Sequence, residues 1–191
     1  MYKLCVTEQS ALRQRQLEQG LLQLLEKRPF EEISVSELCQ ELDVPRKAFY
    51  RYFSGKEGAL HSLIDHALMD FDAFSIAEGD WANQHPREYM AQIFGYWREN
   101  DRLLRALSRS GLSGLLIQRA VDYTKQQNRL PMLLTGMDRE LRDYGTMFAV
   151  CGIMAIIVQW HHDGYHPDAH LMAEMALQLF QKPLYTARGE K

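Results

Sequence analysis

The stretch from Ser34 to Leu60, SVSELCQELDVPRKAFYRYFSGKEGAL, decides the fold. It reads as two short helices joined by a tight turn, with a third capped helix directly behind them. Ser34 and Glu37 have capping-box spacing: the hydroxyl accepts from an orphan backbone N–H while the carboxylate reaches back, so a helix is predicted from about Ser34. Val35, Leu38 and Leu42 recur at helical spacing and give that helix one apolar face, with Cys39 small enough to sit against a neighbour. Asp43 ends it, because Asp tolerates the left-handed turn geometry better than most residues. Pro45 is expected at the first position of the next helix, where a missing N–H costs nothing, and it biases Val44 away from helical geometry. In that second helix Ala48, Phe49 and Phe53 supply apolar contacts, and Arg46, Lys47, Tyr50, Arg51 and Tyr52 supply donors. Ser54 with Glu57 reads as a second capping box, with Lys56 in the first turn of the third helix. A cation there is mildly unfavourable for the helix dipole, unless an outside phosphate lies at the same helix start. Two helices so joined, with donors turned outward, make a helix-turn-helix, a layout that reads duplex DNA.

The run FYRYFSGKEGAL, preceded by ISVSELCQELDVP, resembles the N-terminal DNA-binding domain of TetR-family transcriptional regulators over about residues 8 to 62. Its most specific part is Tyr50-x-Tyr52-Phe53-x-x-Lys56-Glu57. Asp43 stands where that family usually has Gly, which implies slight turn strain, and Pro45 stands where a small hydroxyl residue is common. The resemblance implies an all-α protein, with a three-helix DNA-binding domain over residues 1–60 and a helical bundle for dimerisation and ligand sensing over 61–191. It also implies a homodimer formed through the last two helices, a palindromic operator in double-stranded DNA, and an effector bound in the C-terminal half. Arg46 and Lys47, at the N-terminal end of the recognition helix, are expected at base edges. Ser34, Ser36, Tyr50, Tyr52 and Lys56 are expected at phosphates, and Arg51 in an ion pair within the domain.

Composition limits the alternatives. With 191 residues and 46% hydrophobic content the chain has enough apolar surface for a core. The net charge of −3 does not advertise nucleic-acid binding, so the local balance carries the argument. Arg46, Lys47, Arg51 and Lys56 cluster with only Glu57 opposing them, a small footprint that predicts salt-sensitive and specific binding. Cys5, Cys39 and Cys151 are odd in number and widely spaced, which argues for idle thiols in a reducing cytoplasm. The start, MYKLCVTEQSALRQRQ, turns polar at once, which argues against an export signal. No Gly-x-Ser-x-Gly or Walker-type loop occurs and no nucleophile is paired with a base, so no enzyme and no cofactor is expected.

Along the chain, Thr7 to Arg28 places Leu17, Leu21, Leu24 and Leu25 on one helical face, with Thr7 or Ser10 as cap, Gly20 as a weak point and Pro29 as the stop. From Lys56 to about Phe74 the apolar register continues for several turns, and the resemblance implies that this element connects reader to sensor. The polar run Ala77–Pro86 follows as a boundary. Further helices carry Met90, Ile93, Phe94 and Trp97, then Leu103, Leu104 and Leu107, then a segment to about Asn128, with a loop from Arg129 to Gly136. The uncharged run 144–160, YGTMFAVCGIMAIIVQW, is short for a bilayer and is expected to be a buried central helix. Its stripe Gly145, Ala149, Gly152 serves close helix approach or leaves room for a ligand. The last helix runs from Asp168 to about Gln181. For a pocket, Met90, Phe94, Trp97, Tyr123, Met147 and Cys151 are the candidates, with an unknown small molecule or a protein partner as the signal. The run GIMAIIVQWHHDGY is similar to the C-terminal region of TetR-like proteins tied to dihydroxyacetone kinase operons. His161, His162, His166 and His170 crowd together, but Gly164 and Pro167 interrupt the helix that would align them, so no metal site is expected.

Overall fold

The computed structural model describes residues 2, 5, 7–77, 84–127, 138 and 140–181. In chain order these form α1 (Glu8–Leu25), a 3-10 turn (Phe30–Glu32), α2 (Val35–Glu41), α3 (Arg46–Phe49), α4 (Lys56–Ala77), α5 (Pro86–Glu99), α6 (Asp101–Arg109), α7 (Ser113–Gln127), α8 (Arg142–His162) and α9 (Ala169–Gln181). No strand occurs among the described residues, only one antiparallel bridge between Tyr2 and Phe53. The expected loop around Pro131 and most of the polar run after Ala77 lie outside the described residues.

Thr7 caps α1, its hydroxyl accepting from the Ser10 amide at 3.3 Å. The predicted leucine face is buried. Gly20 is more than a weak point in this helix. A Cβ there would lie 2.4 Å from Leu42 Cδ1, so the missing side chain is what lets α2 end against α1.

Helix α4 is continuous from the reader into the bundle and packs on both α1 and α7. Its contact with α1 is partly polar. Glu18 is wholly buried, accepting from the Ser62 hydroxyl at 2.6 Å and meeting His66 Nδ1 at 2.7 Å, while Gln14 Nε2 donates to the same Ser62 oxygen at 2.8 Å. Its contact with α7 holds a second polar knot, in which the Arg119 guanidinium forks onto Asp65 (Nε to Oδ1, 2.8 Å) and the Tyr2 hydroxyl donates to the same carboxylate. Buried polar groups of this kind are tolerated because each finds a partner.

In the bundle, α5 packs along α9 and α7 along α8. The expectation of a fully buried α8 is corrected. Only its Gly145, Thr146, Ala149, Met154, Ile157 and Trp160 side is covered, because α7 reaches one flank of the helix. The other flank exposes Tyr144, Met147 and Phe148. By length and composition α8 could cross a membrane, yet its small residues make close helix contacts. Gly145 and Ala149 are buried, and a Cβ on Gly152 would stand 3.4 Å from Phe180 Cζ. Of the two uses weighed for that stripe, helix approach is the one observed.

Candidate nucleic-acid interface

The reader is assembled from local chemistry. Ser34 accepts from the Glu37 amide at 3.2 Å, and Glu37 Oε2 accepts from the Ser34 amide at 2.9 Å, the capping box expected from sequence. The Ser34 hydroxyl, which donates to Glu37 Oε2 at 2.7 Å, then the Ser34 amide and the Arg28 guanidinium at 3.0 Å hold the Glu37 carboxyl below its ordinary pKa. At the other end of α2, Asp43 takes φ +49° and lets the Val44 amide close onto the Cys39 carbonyl at 2.8 Å. The turn therefore stops the helix by satisfying one of its orphan carbonyls.

Pro45 holds the cap position rather than the first helical position. Its ψ of 136° is extended, and its carbonyl accepts from the Ala48 amide at 2.8 Å. Helix α3 consequently starts at Arg46, which places Arg46 and Lys47 together in its first turn. Phe49 is fully buried with its ring 5.2 Å from that of Phe53, and this anchor turns Arg46, Lys47, Tyr50 and Arg51 to solvent. Hydrogen bonding to Tyr50 raises the Arg46 pKa further, so the two side chains form one exposed unit. No ion pair of Arg51 is seen among the described residues.

Three expected phosphate ligands are differently placed. The Ser34 hydroxyl is committed to its capping box, whereas Ser36, in the first turn of α2, is exposed. Tyr52 is half-buried, its ring 6.3 Å from Phe53. Lys56 departs most: its ammonium donates to the Phe30 carbonyl at 2.9 Å and the Glu31 carbonyl at 3.2 Å, and lies 4.5 Å from the centre of the Phe30 ring. Gly55 accepts from the Ala59 amide at 3.2 Å, because the helix begins at Lys56.

Of the proposed pocket residues, Met90 and Phe94 are buried core between α5 and its neighbours, and Tyr123 donates to Asp72 at 3.2 Å. Met147 is exposed and Cys151 half-exposed on α8. Trp97 does border a cleft of about 200 Å³ between α1, α4, α5 and α6, walled also by Leu22, Leu63, Ala67, Tyr96 and Leu103. Arg15 and Arg102 stand at that cleft too, each already forked onto a carboxylate, Asp70 and Glu26 respectively. Trp97 is 2% exposed, and its indole N–H has no acceptor among the described residues. Of the four histidines, His161 meets the Tyr165 hydroxyl at 3.2 Å and His162 the Ser108 hydroxyl at 3.4 Å. No group of three metal-ligating side chains forms among the described residues.

A helix-turn-helix with a cationic, tyrosine-bearing second helix, set on a helical body, has the layout of a duplex-DNA reader. Residues 19–63 match the bacterial regulatory proteins of the tetR family, so the reader is of the TetR type. Across 90% of this chain and 96% of the other, the fold is similar to a solved structure of the fatty acid degradation regulator FadR from Bacillus halodurans, with a TM-score of 0.64 at 16% identity. No curated protein matches. These findings lend no support to the dihydroxyacetone kinase association drawn from GIMAIIVQWHHDGY.

Proposed function

We propose that the protein acts as a homodimeric, cytoplasmic repressor or activator that binds a palindromic operator and changes affinity when an effector binds the helical body. The observation that carries the DNA reading is the orientation of α3. Phe49 and Phe53 anchor it inward, and Arg46, Lys47, Tyr50 and Arg51 stand outward on a turn held by Asp43. Arg46 and Lys47 read base edges in the major groove, while Ser36, Tyr50 and the half-buried Tyr52 contact phosphates. The division into a reader over residues 1–60 and a regulatory body over 61–191 belongs to this reading, with α4 running across it.

Dimerisation is supported by an uncovered apolar stripe. Tyr144, Met147, Phe148 and Cys151 follow one face of α8, and Leu171, Met175 and Leu179 follow one face of α9. The two helices meet where the Phe148 and Phe180 rings touch edge-on at 6.0 Å. A row of large apolar side chains left exposed along two neighbouring helices suits a partner surface, and an antiparallel second copy would cover it. The two-fold axis then sets the two readers for half-sites about one helical turn apart. The effector reading places a small molecule at the cleft beside Trp97, which touches reader helix α1 and body helices together.

Selection of bound fragments from random duplexes tests the proposal. The expected result is an inverted repeat, with Lys47→Ala relaxing preference at one base position at a cost of about 1–3 kcal/mol. Equal losses for Lys47→Ala on selected and scrambled duplexes would remove Lys47 from base reading. A protein that stays monomeric and binds no duplex at low ionic strength would end the whole reading.

A further inference from the structure

We propose that Ser110, at the end of α6, and Lys56, at the start of α4, are positioning residues that grip the Phe30 backbone from opposite sides, so that the regulatory body sets the reader through this corner. The proposal rests on the duplex-binding reading above. It assigns Lys56 an internal role instead of the phosphate contact expected from sequence.

The geometry is specific. The Phe30 amide donates to Ser110 Oγ at 3.0 Å, and Ser110 Oγ donates on to the Ala106 carbonyl at 3.1 Å, which fixes its hydroxyl on α6. The Phe30 carbonyl accepts from the Lys56 ammonium at 2.9 Å, the neighbouring Glu31 carbonyl accepts from the same group at 3.2 Å, and the Phe30 ring lies beneath the cation. One buried residue thus ties the end of α6 to the start of α4. The 3-10 turn that Phe30 opens leads through Ile33 directly into the Ser34 cap of α2. Moving α6 must therefore move the corner from which α2 and α3 project.

A second set of bonds fixes the same seam and keeps the corner from acting alone. Arg102 of α6 forks onto Glu26 at the end of α1, at 2.6 and 3.0 Å, and Arg109 donates to the Glu26 carbonyl. Arg102 is also a wall of the Trp97 cleft. A molecule entering that cleft would press on the helix that ends in Ser110. Charge points the same way for Lys56: two of its three donors are taken by carbonyls, and a lysine held so is a strut more than a free counter-ion for a phosphate.

The test compares wild type, Ser110→Ala, Ser110→Thr, Lys56→Met and the Ser110→Ala/Lys56→Met pair on a duplex chosen by selection. Methionine keeps the length of the lysine stem while removing its charge, and circular dichroism melting checks that each variant is folded. Ser110→Ala is expected to weaken binding about three- to tenfold, the range of one lost hydrogen bond, with Ser110→Thr restoring it. Lys56→Met is expected to weaken binding with the slope of log affinity against log salt unchanged. The double variant should be no weaker than the weaker single one, since both act on one corner. A salt slope reduced by about one in Lys56→Met would overturn the proposal and return Lys56 to the phosphates. Wild-type affinity in Ser110→Ala, or additive losses in the pair, would overturn it as well.

Hydrogen exchange at the Phe30 amide reads the corner without DNA. Protection lost in Ser110→Ala supports the grip even if no duplex binds, and unchanged protection removes it. A wild-type protein that protects this amide but binds no duplex would instead refute the DNA reading alone.

Discussion

Glu18 offers the sharpest check on how the reader is braced, since replacing it with Ala removes a wholly buried carboxylate from the α1–α4 contact. Two short interactions end: Ser62 Oγ loses its acceptor at 2.6 Å, and His66 Nδ1 loses its partner at 2.7 Å. A hydrogen bond to a charged group contributes about 1.5–3 kcal/mol, and the side-chain cavity adds to the loss. Part of this is offset because the variant no longer keeps a carboxylate out of water. The expected net loss is about 3 kcal/mol, which for a chain of this size lowers Tm by roughly 6–12 °C. Glu18→Gln keeps the shape and one acceptor and should lose about half as much. Urea titration followed by circular dichroism measures both, with the m-value checking that the transition stays cooperative. A loss under about 0.5 kcal/mol for Glu18→Ala would refute the claim that this knot holds α1 to α4, and a larger loss for Gln than for Ala would refute the assignment of its acceptors.

Three further outcomes are expected. Phe148→Glu, at a side chain 59% exposed in the single chain, should leave the helical content intact and convert a dimer to monomers by light scattering; a dimer that persists removes the α8–α9 stripe from the interface. Gly20→Val should destabilise by about 1–3 kcal/mol, because a Cβ at that point overlaps the Leu42 side chain, which must repack; thermal melting no lower than wild type would show that Leu42 yields freely. Glu37 has a folded pKa below its ordinary value of 4.5, so its contribution is complete above that pH and fades as pH falls through the folded pKa. Acid titration of stability should therefore flatten below pH 4.5 in Glu37→Gln relative to wild type, and identical acid limbs would refute the linkage.

The sequence by itself determined the reader's internal order. Capping at Ser34, the left-handed stop at Asp43 and the inward placement of Phe49 depend on neighbours within a few residues, so spacing alone carries them. Even there the register slipped by one at Pro45, because a cap is defined by backbone ψ and by which carbonyl takes the first bond. The contact of Lys56 was not legible, since it depends on what lies across a seam far away in the chain. Lys56 meets Phe30 from 26 residues distant and Ser110 meets the same residue from 80, and no local pattern marks either approach. Glycine at 20 looked like a loss of helix propensity until Leu42 stood against it. Only the tertiary structure decides which donors face water and which are consumed inside, because burial and partnering belong to the packed molecule, whereas periodicity and capping belong to the local chain.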